Sequence, residues 1–245
     1  MALKTKNTLR AHNCEWEPIA DFILASESNP RASDLPVRDV RSHRRDDRSY
    51  VMKKHNILPY DGHAVLIDDC VTDFDWPAIT QALIDTMPWR IETARMFGRE
   101  MPVPRMTAWF GDASYTYSGI RHQPAPFPPI IQRLRETAKA LSGASYNAVL
   151  LNLYRHGGDS VGWHSDNEAG LGDRPTIASL SLGGTRRFQF RHRRKKETIT
   201  LELKEGHWLI MAGETQRFWL HRVPKTATAV ERRINLTFRR MIQSQ

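Results

Sequence analysis

Residues 145–168 read SYNAVLLNLYRHGGDSVGWHSDNE, and the reading of this stretch decides what kind of chain surrounds it. An apolar run, AVLLNLY, stops at the pair Gly157-Gly158, and a second short run ends in a histidine and an aspartate one residue apart. Leucine, β-branched and aromatic residues bounded by glycine punctuation indicate strand, turn, strand. The texture then repeats. TIASLSLGG, TRRFQFRHR, TITLELKEG, HWLIMAG and RRINLTFRR are further short runs separated by similar turns. Their spacing predicts an antiparallel barrel or sandwich.

Upstream of residue 146 the pattern is different. HAVLIDDC (63–70) reads as the first core strand. WPAITQALIDTM (76–87) has apolar residues at helical spacing, with Pro77 near the start, where its missing N–H leaves no bond unmade. PIIQRLRETAKALSG (129–143) reads as a second helix that begins at Pro129 and stops at Gly143. Residues 1–60 are the least regular part. The apolar patch WEPIADFIL (16–24) precedes RDVRSHRRDDR (38–48), which has mixed charge and no apolar period and reads as an extended arm. The expected class is α+β: a β-rich core with two helices on one side. An irregular extension covers residues 1–60, and the folded domain covers 61–245.

Composition narrows the function. The chain has 245 residues and only two cysteines, Cys14 and Cys70, so neither a disulfide framework nor a thiolate metal site is expected. The opening MALKTKNTLR is not followed by the apolar h-region of a signal peptide, and no uninterrupted apolar run approaches the ~18 residues of a membrane span. These features predict an intracellular protein of cytoplasm or nucleus, with no membrane partner. The formal net charge of +9 suits an anionic partner, nucleic acid being the simplest. Seven Lys/Arg and no acid fall in RRFQFRHRRKK (186–196), with Phe188 and Phe190 interleaved.

Extended residues i and i+2 share a face, so His164 and Asp166 point the same way. Of the ten histidines, His221 in RFWLHRVPK is the best third partner. Two histidines and a carboxylate form the facial triad of non-haem Fe(II) oxygenases; zinc on the same ligands, or no metal, remains open at this point. In RRINLTFRR, Arg233, Asn235, Thr237 and Arg239 fall on one face, and Ile234, Leu236 and Phe238 on the other. If the polar face points inward, its two arginines need an anion, and a guanidinium fork matches a carboxylate. If outward, it is a basic edge. Asn152 and Tyr154 add hydrogen-bonding groups two residues apart.

Taken together, N-x-Y at 152–154, H-x-D at 164–166, HRVP from His221 and R-x-N-L-T-F-R at 233–239 resemble the AlkB family of Fe(II)/2-oxoglutarate dioxygenases, in its branch that repairs alkylated nucleic acid. The resemblance runs from about residue 104 to 240 and implies a double-stranded β-helix (jelly-roll) core flanked by helices. It implies that His164, Asp166 and His221 hold Fe(II), and that Arg233 and Arg239 each meet a carboxylate of 2-oxoglutarate. Asn152, Tyr154, Asn235 and Thr237 would hydrogen-bond the co-substrate, with molecular oxygen completing the set. The implied reaction is oxidative demethylation of 1-methyladenine and 3-methylcytosine in DNA, in RNA or in both, releasing formaldehyde, succinate and carbon dioxide. Nucleotide-recognition elements would lie near 104–120, in PRMTAWFGDASYTYSG. Tyr115, Tyr117, Ser118, Glu168 and Arg105 would meet the base, Glu168 favouring a cationic lesion over its neutral parent. Arg191, Arg193, Arg194 and Lys195 would meet phosphates. The alternatives are a dioxygenase of proteins or small molecules, and a catalytically silent nucleic-acid-binding protein. A monomer is expected.

Overall fold

A computed structural model of the chain describes residues 55–67, 74–96, 99–112, 115–117 and 120–242, with backbone alone over the parts of 94–100 and 115–122 that it includes. The reading of residues 1–54 as an irregular arm lies outside the described residues. The elements run β1 (His63–Ile67), α1 (Trp76–Thr86), β2 (Arg90–Met96), β3 (Arg99–Gly111), β4 (Tyr115–Tyr117), β5 (Ile120–His122) and α2 (Pro129–Ser142). Then follow β6 (Ala148–Tyr154), β7 (Val161–His164), β8 (Ile177–Gly183), β9 (Arg186–His192), β10 (Thr198–Leu203), β11 (Trp208–Ala212), α3 (Thr215–Phe218), β12 (Trp219–Val223) and β13 (Arg233–Arg239).

Both helices begin and end as their residues dictate. The Asp75 carboxylate accepts from Ala78 N at 3.1 Å and caps α1 just before Pro77. At the end of α2, Gly143 takes φ 73°, and its N–H bonds to Lys139 O at 2.8 Å. A side chain at that φ would be strained, so the helix stops there.

Two antiparallel sheets form the core. The major sheet has the order β1-β11-β8-β13-β6-β3-β2, and the minor sheet β10-β9-β12-β7. This is the expected jelly-roll. Strand alternation divides the major sheet cleanly. On one face Ile234, Leu236, Phe238, Leu180, Leu151 and Ile210 pack with Trp76 and Leu83 of α1 and with Ile131 and Leu134 of α2. Each such fully buried aliphatic or aromatic side chain contributes about 1.5–3 kcal/mol. Helices on one side are thereby borne out. The opposite face meets the minor sheet through Met211, Leu209, Phe188, Phe190, Trp219 and Val223.

One long element was not anticipated. β3 carries Pro102 and Pro104, which argue against a central strand. The prolines are accommodated because β6 pairs only with Met106–Gly111 of β3, while the earlier half of β3 pairs with the edge strand β2 alone. Residues 57–60, assigned from sequence to the extension, join the sandwich: Leu58 is buried, and Tyr60 O accepts from Trp219 Nε1 at 3.0 Å.

Candidate active site

β13 lies between β6 and β8, so it has hydrogen-bonded neighbours on both sides. Its polar face therefore cannot be an exposed basic edge. Arg233 is 1% and Arg239 3% exposed, and Asn235 and Thr237 are buried with them. All four line a cavity between the sheets, together with Asn152, Tyr154, Arg105, His164, Asp166 and His221. These ten residues, all singled out in the sequence, come from five separate stretches.

The metal-type cluster has a simple origin. β7 and β12 are neighbours, with His164 directly opposite His221. Asp166 follows two residues later on the same side. One donor atom from each of the three lies within 4.8 Å of the others. The His164 Nδ1 approaches Gly162 O at 2.9 Å, so it carries the proton and leaves Nε2 as the lone-pair nitrogen. Asp166 is wholly buried; its Oδ2 accepts from Arg239 Nη2 at 2.8 Å and Nε at 3.2 Å, while Oδ1 has no hydrogen-bond partner. His221 Nδ1 is also buried without one. Two imidazoles and a carboxylate with an unsatisfied buried oxygen suit a divalent cation.

The charges of this group follow from burial. Desolvation raises the Asp166 carboxyl, but Arg239 and the two imidazoles outweigh it and hold it below the ordinary carboxylate range. Desolvation, helped by His164, pushes His221 from 6.5 down to about 3, and burial lowers His164 as well. Both imidazoles are thus neutral and ready to donate lone pairs. In the unfolded chain His221 takes its proton near 6.5. Between 6.5 and about 3 the unfolded state binds that proton and the fold does not, so stability falls as pH drops. The melting temperature of metal-free protein is expected to decline steadily from pH 7 toward 5, and His221→Phe to flatten the decline. An equally steep decline in the variant would count against this account.

The other end of the cavity is cationic. Arg233 Nη2 donates to Ser181 Oγ at 2.8 Å and the Tyr154 side chain interacts with the same guanidinium, whereas Nε and Nη1 make no well-formed hydrogen bond despite full burial. Burial depresses the pKa of this guanidinium. A buried cation with two open donors calls for a bidentate anion. The Tyr154 ring centroid lies 5.2 Å from its central carbon. Asn235 Nδ2 donates to Ser179 Oγ at 2.8 Å and to Leu180 O at 3.0 Å, and its Oδ1 accepts from Thr237 Oγ1 at 3.0 Å. Asn152 Oδ1 accepts from Arg105 Nε at 2.7 Å.

The family model for the 2OG-Fe(II) oxygenase superfamily matches residues 64–239. The Arabidopsis thaliana protein named DNA oxidative demethylase ALKBH2 is 36% identical over an alignment that covers 96% of this chain and 79% of that relative. The chain belongs to the AlkB family of Fe(II)/2-oxoglutarate oxygenases. The human alpha-ketoglutarate-dependent dioxygenase alkB homolog 3 is 41% identical, across 69% of this chain. The chain spans 62% of that human protein and 59% of its rat counterpart. Among solved structures, OsALKBH1 superposes with a TM-score of 0.53 at 19% identity, covering 72% of this chain and 97% of the other, a likeness of fold. Fe(II), 2-oxoglutarate and molecular oxygen are the reagents of the AlkB family, and the donor set and the cationic pocket suit the first two.

Several of the expected site residues also have partners within the protein. Arg239, expected at a carboxylate of 2-oxoglutarate, grips Asp166. Arg105, expected at the base, turns inward to Asn152. The basic hairpin is less free than its sequence suggests. Arg193 Nη2 donates to Ser165 Oγ at 2.7 Å, Lys195 Nζ sits 3.2 Å from the Tyr60 ring, and Arg194 lies 5.9 Å from that of Phe218. Arg191 belongs to the strand rather than the turn. Tyr115 and Tyr117 fall on β4, which pairs with β5 from Tyr115↔His122 to Tyr117↔Ile120. Their side chains, and Ser118 altogether, lie outside the described residues. Glu168 is partly buried just before a 3-10 turn at Ala169–Leu171.

Sequence reasoning missed Gln216, whose buried Oε1 accepts from Asp166 N at 2.9 Å and fixes the backbone of that residue. No periodicity marks it, because it sits in α3, a single turn. Ser179 and Ser181 were also missed. There a signal did exist: two hydroxyls at a period of two within the apolar run IASLSLG. Among the described residues, no helix is long and apolar enough to cross a membrane.

Proposed function

We propose that this chain oxidatively demethylates N-alkylated bases, 1-methyladenine and 3-methylcytosine, in DNA and RNA. The observation that carries the reading is the unsatisfied Asp166 Oδ1 beside two neutral imidazoles, in the same cavity as the two open donors of Arg233. His164, Asp166 and His221 would hold Fe(II), with Arg239 and Gln216 keeping Asp166 in place. Arg233 would take one carboxylate of 2-oxoglutarate, and Asn152 and Tyr154 would border it. Fe(II) held there, with 2-oxoglutarate and oxygen, would supply the hydroxylating chemistry, 2-oxoglutarate being converted to succinate and carbon dioxide. A hydroxylated N-methyl group then departs as formaldehyde. A target base has to leave its stack to reach a cavity between two sheets, and the family resemblance assigns Tyr115 and Tyr117 to its recognition. The basic turn after β9, with the net charge of +9, favours a polyanionic substrate over a protein or small molecule. The name carried by the Arabidopsis relative points the same way.

The test is mass spectrometry of a single-stranded DNA oligonucleotide carrying one 1-methyladenine, and of its RNA equivalent, with Fe(II) and oxygen, with and without 2-oxoglutarate. Loss of one methyl group only with 2-oxoglutarate is the expected result. Consumption of 2-oxoglutarate with both polymers intact would move the substrate to another class of molecule.

A further inference from the structure

The outward face of the minor sheet carries an arrangement that neither the cavity nor the hairpin turn explains. Along β9, Phe188, Phe190 and His192 are buried, while Arg187, Gln189 and Arg191 alternate on the other side. β12 adds Leu220 and Arg222 to that outer side, with Arg222 opposite Gln189 and Leu220 opposite Arg191. Trp163 of β7 lies across it. The guanidinium carbons of Arg191 and Arg222 are each 4.3 Å from the Trp163 ring centroid. Gln189 Oε1 accepts from Arg222 Nε at 2.8 Å, and its Nε2 donates to Thr200 Oγ1 at 3.1 Å.

This is a held pair of cations. The ring attracts both guanidiniums, and the Gln189 amide fixes the orientation of one. Among the described residues, neither arginine has an ion pair with a carboxylate. The acid on the adjoining strand, Glu202 of β10, stands opposite Arg187. Two cations gathered on one ring without an acid repel one another, and their open N–H edges form forks suited to phosphate oxygens. The ring itself is occupied by the guanidiniums, so the contact it supports is to backbone phosphate and is independent of sequence.

Position selects the form of the polymer. Trp163 and His164 are consecutive, with side chains on opposite faces of β7, which is an edge strand. The metal-site cavity and the outer face are therefore separated by one strand at the rim of the sheet. A flexible single strand can turn around such a rim. A duplex, with a persistence length of about 50 nm, turns so sharply only at a cost of several kcal/mol.

We propose that Arg191 and Arg222, held by Trp163 and Gln189, form a second contact surface for the phosphodiester backbone of a single-stranded nucleic acid, distinct from the turn at residues 193–196. The surface rests on the nucleic-acid reading above and tests separately from the chemistry. The experiment is fluorescence anisotropy of a labelled, unmodified oligothymidine across a sodium chloride series, using the full chain with EDTA. Each single-strand phosphate contact adds about 0.7 to the slope of log affinity against log salt. Arg191→Gln and Arg222→Gln are each expected to lower the slope by about that amount and to weaken binding several-fold at low salt. Arg222→Lys is expected to keep the slope. Lys139→Gln, exposed on α2, is expected to match the wild type.

Unchanged slopes in both Gln variants would overturn the surface. Where either variant melts early, Thr200→Glu substitutes for it: this exposed residue of the same face gains a negative charge, and unaltered affinity at low salt would again overturn the proposal. Turnover of a methylated trinucleotide by the wild type, too short to round β7, reports the chemistry alone. Slopes unchanged with that turnover present reject only the surface. Lowered slopes with no turnover of any methylated substrate would keep the surface and reject the demethylase.

Discussion

Replacing Asp166 by alanine is expected to bring 2-oxoglutarate turnover, read as succinate released, down to background, and to lower the melting temperature as well. The first effect follows from removing one of three ligands, and it should exceed the roughly 10–100-fold loss that changes outside the ligand shell produce. The second follows from Arg239. Its guanidinium is 3% exposed and grips the carboxylate that is removed. Breaking one side of a buried ion pair costs about 3–5 kcal/mol, which for a domain of this size is a fall of roughly 10 °C. Asp166→Asn retains the volume and separates the two effects, since the amide packs but neither balances Arg239 nor supplies an anionic ligand. Wild-type succinate release by the alanine variant would remove Asp166 from the metal site.

Arg233→Lys is expected to weaken the apparent affinity for 2-oxoglutarate about 10- to 100-fold while leaving the fold in place. Lysine keeps the charge but replaces a planar fork by a point donor. The two donors left open in the structure, Nε and Nη1, are the ones lost as a pair. One charge-assisted hydrogen bond contributes about 1.5–3 kcal/mol, and each 1.4 kcal/mol is a factor of ten. Measured KM for 2-oxoglutarate is the readout. A value within about twofold of wild type would place the co-substrate away from β13.

The two expectations draw on different degrees of legibility. The polar face of β13 was readable because strand alternation is rigid: Arg233, Asn235, Thr237 and Arg239 have to share a side whatever the fold. What periodicity left open was whether that side faced solvent, and only the pairing of β13 with both β6 and β8 excludes it. His164 and His221 are separated in sequence by four strands drawn from both sheets, and residue spacing alone could not make them opposite neighbours. Here the family resemblance supplied what local physics could not. It did not supply the grip of Arg239 on Asp166, which depends on where two side chains reach across the sandwich. β3 escaped because its prolines speak against a strand unless one knows that an edge strand is their sole partner there. Gln216 lies on a single helical turn, too short for any period to show. The Arg191–Trp163–Arg222 arrangement joins three strands, so no single stretch of sequence contains it.

The placement of β7 has one more consequence. Among the described residues it has only β12 as a strand partner, whereas the arginine strand is clamped from both flanks. The site is thus assembled from a central strand of one sheet and an edge strand of the other, and an ion held by His164 and His221 would act as a clasp. It would add a bond across the one pairing that holds β7 in the minor sheet, so metal loading is expected to stabilise the fold as well as to supply chemistry.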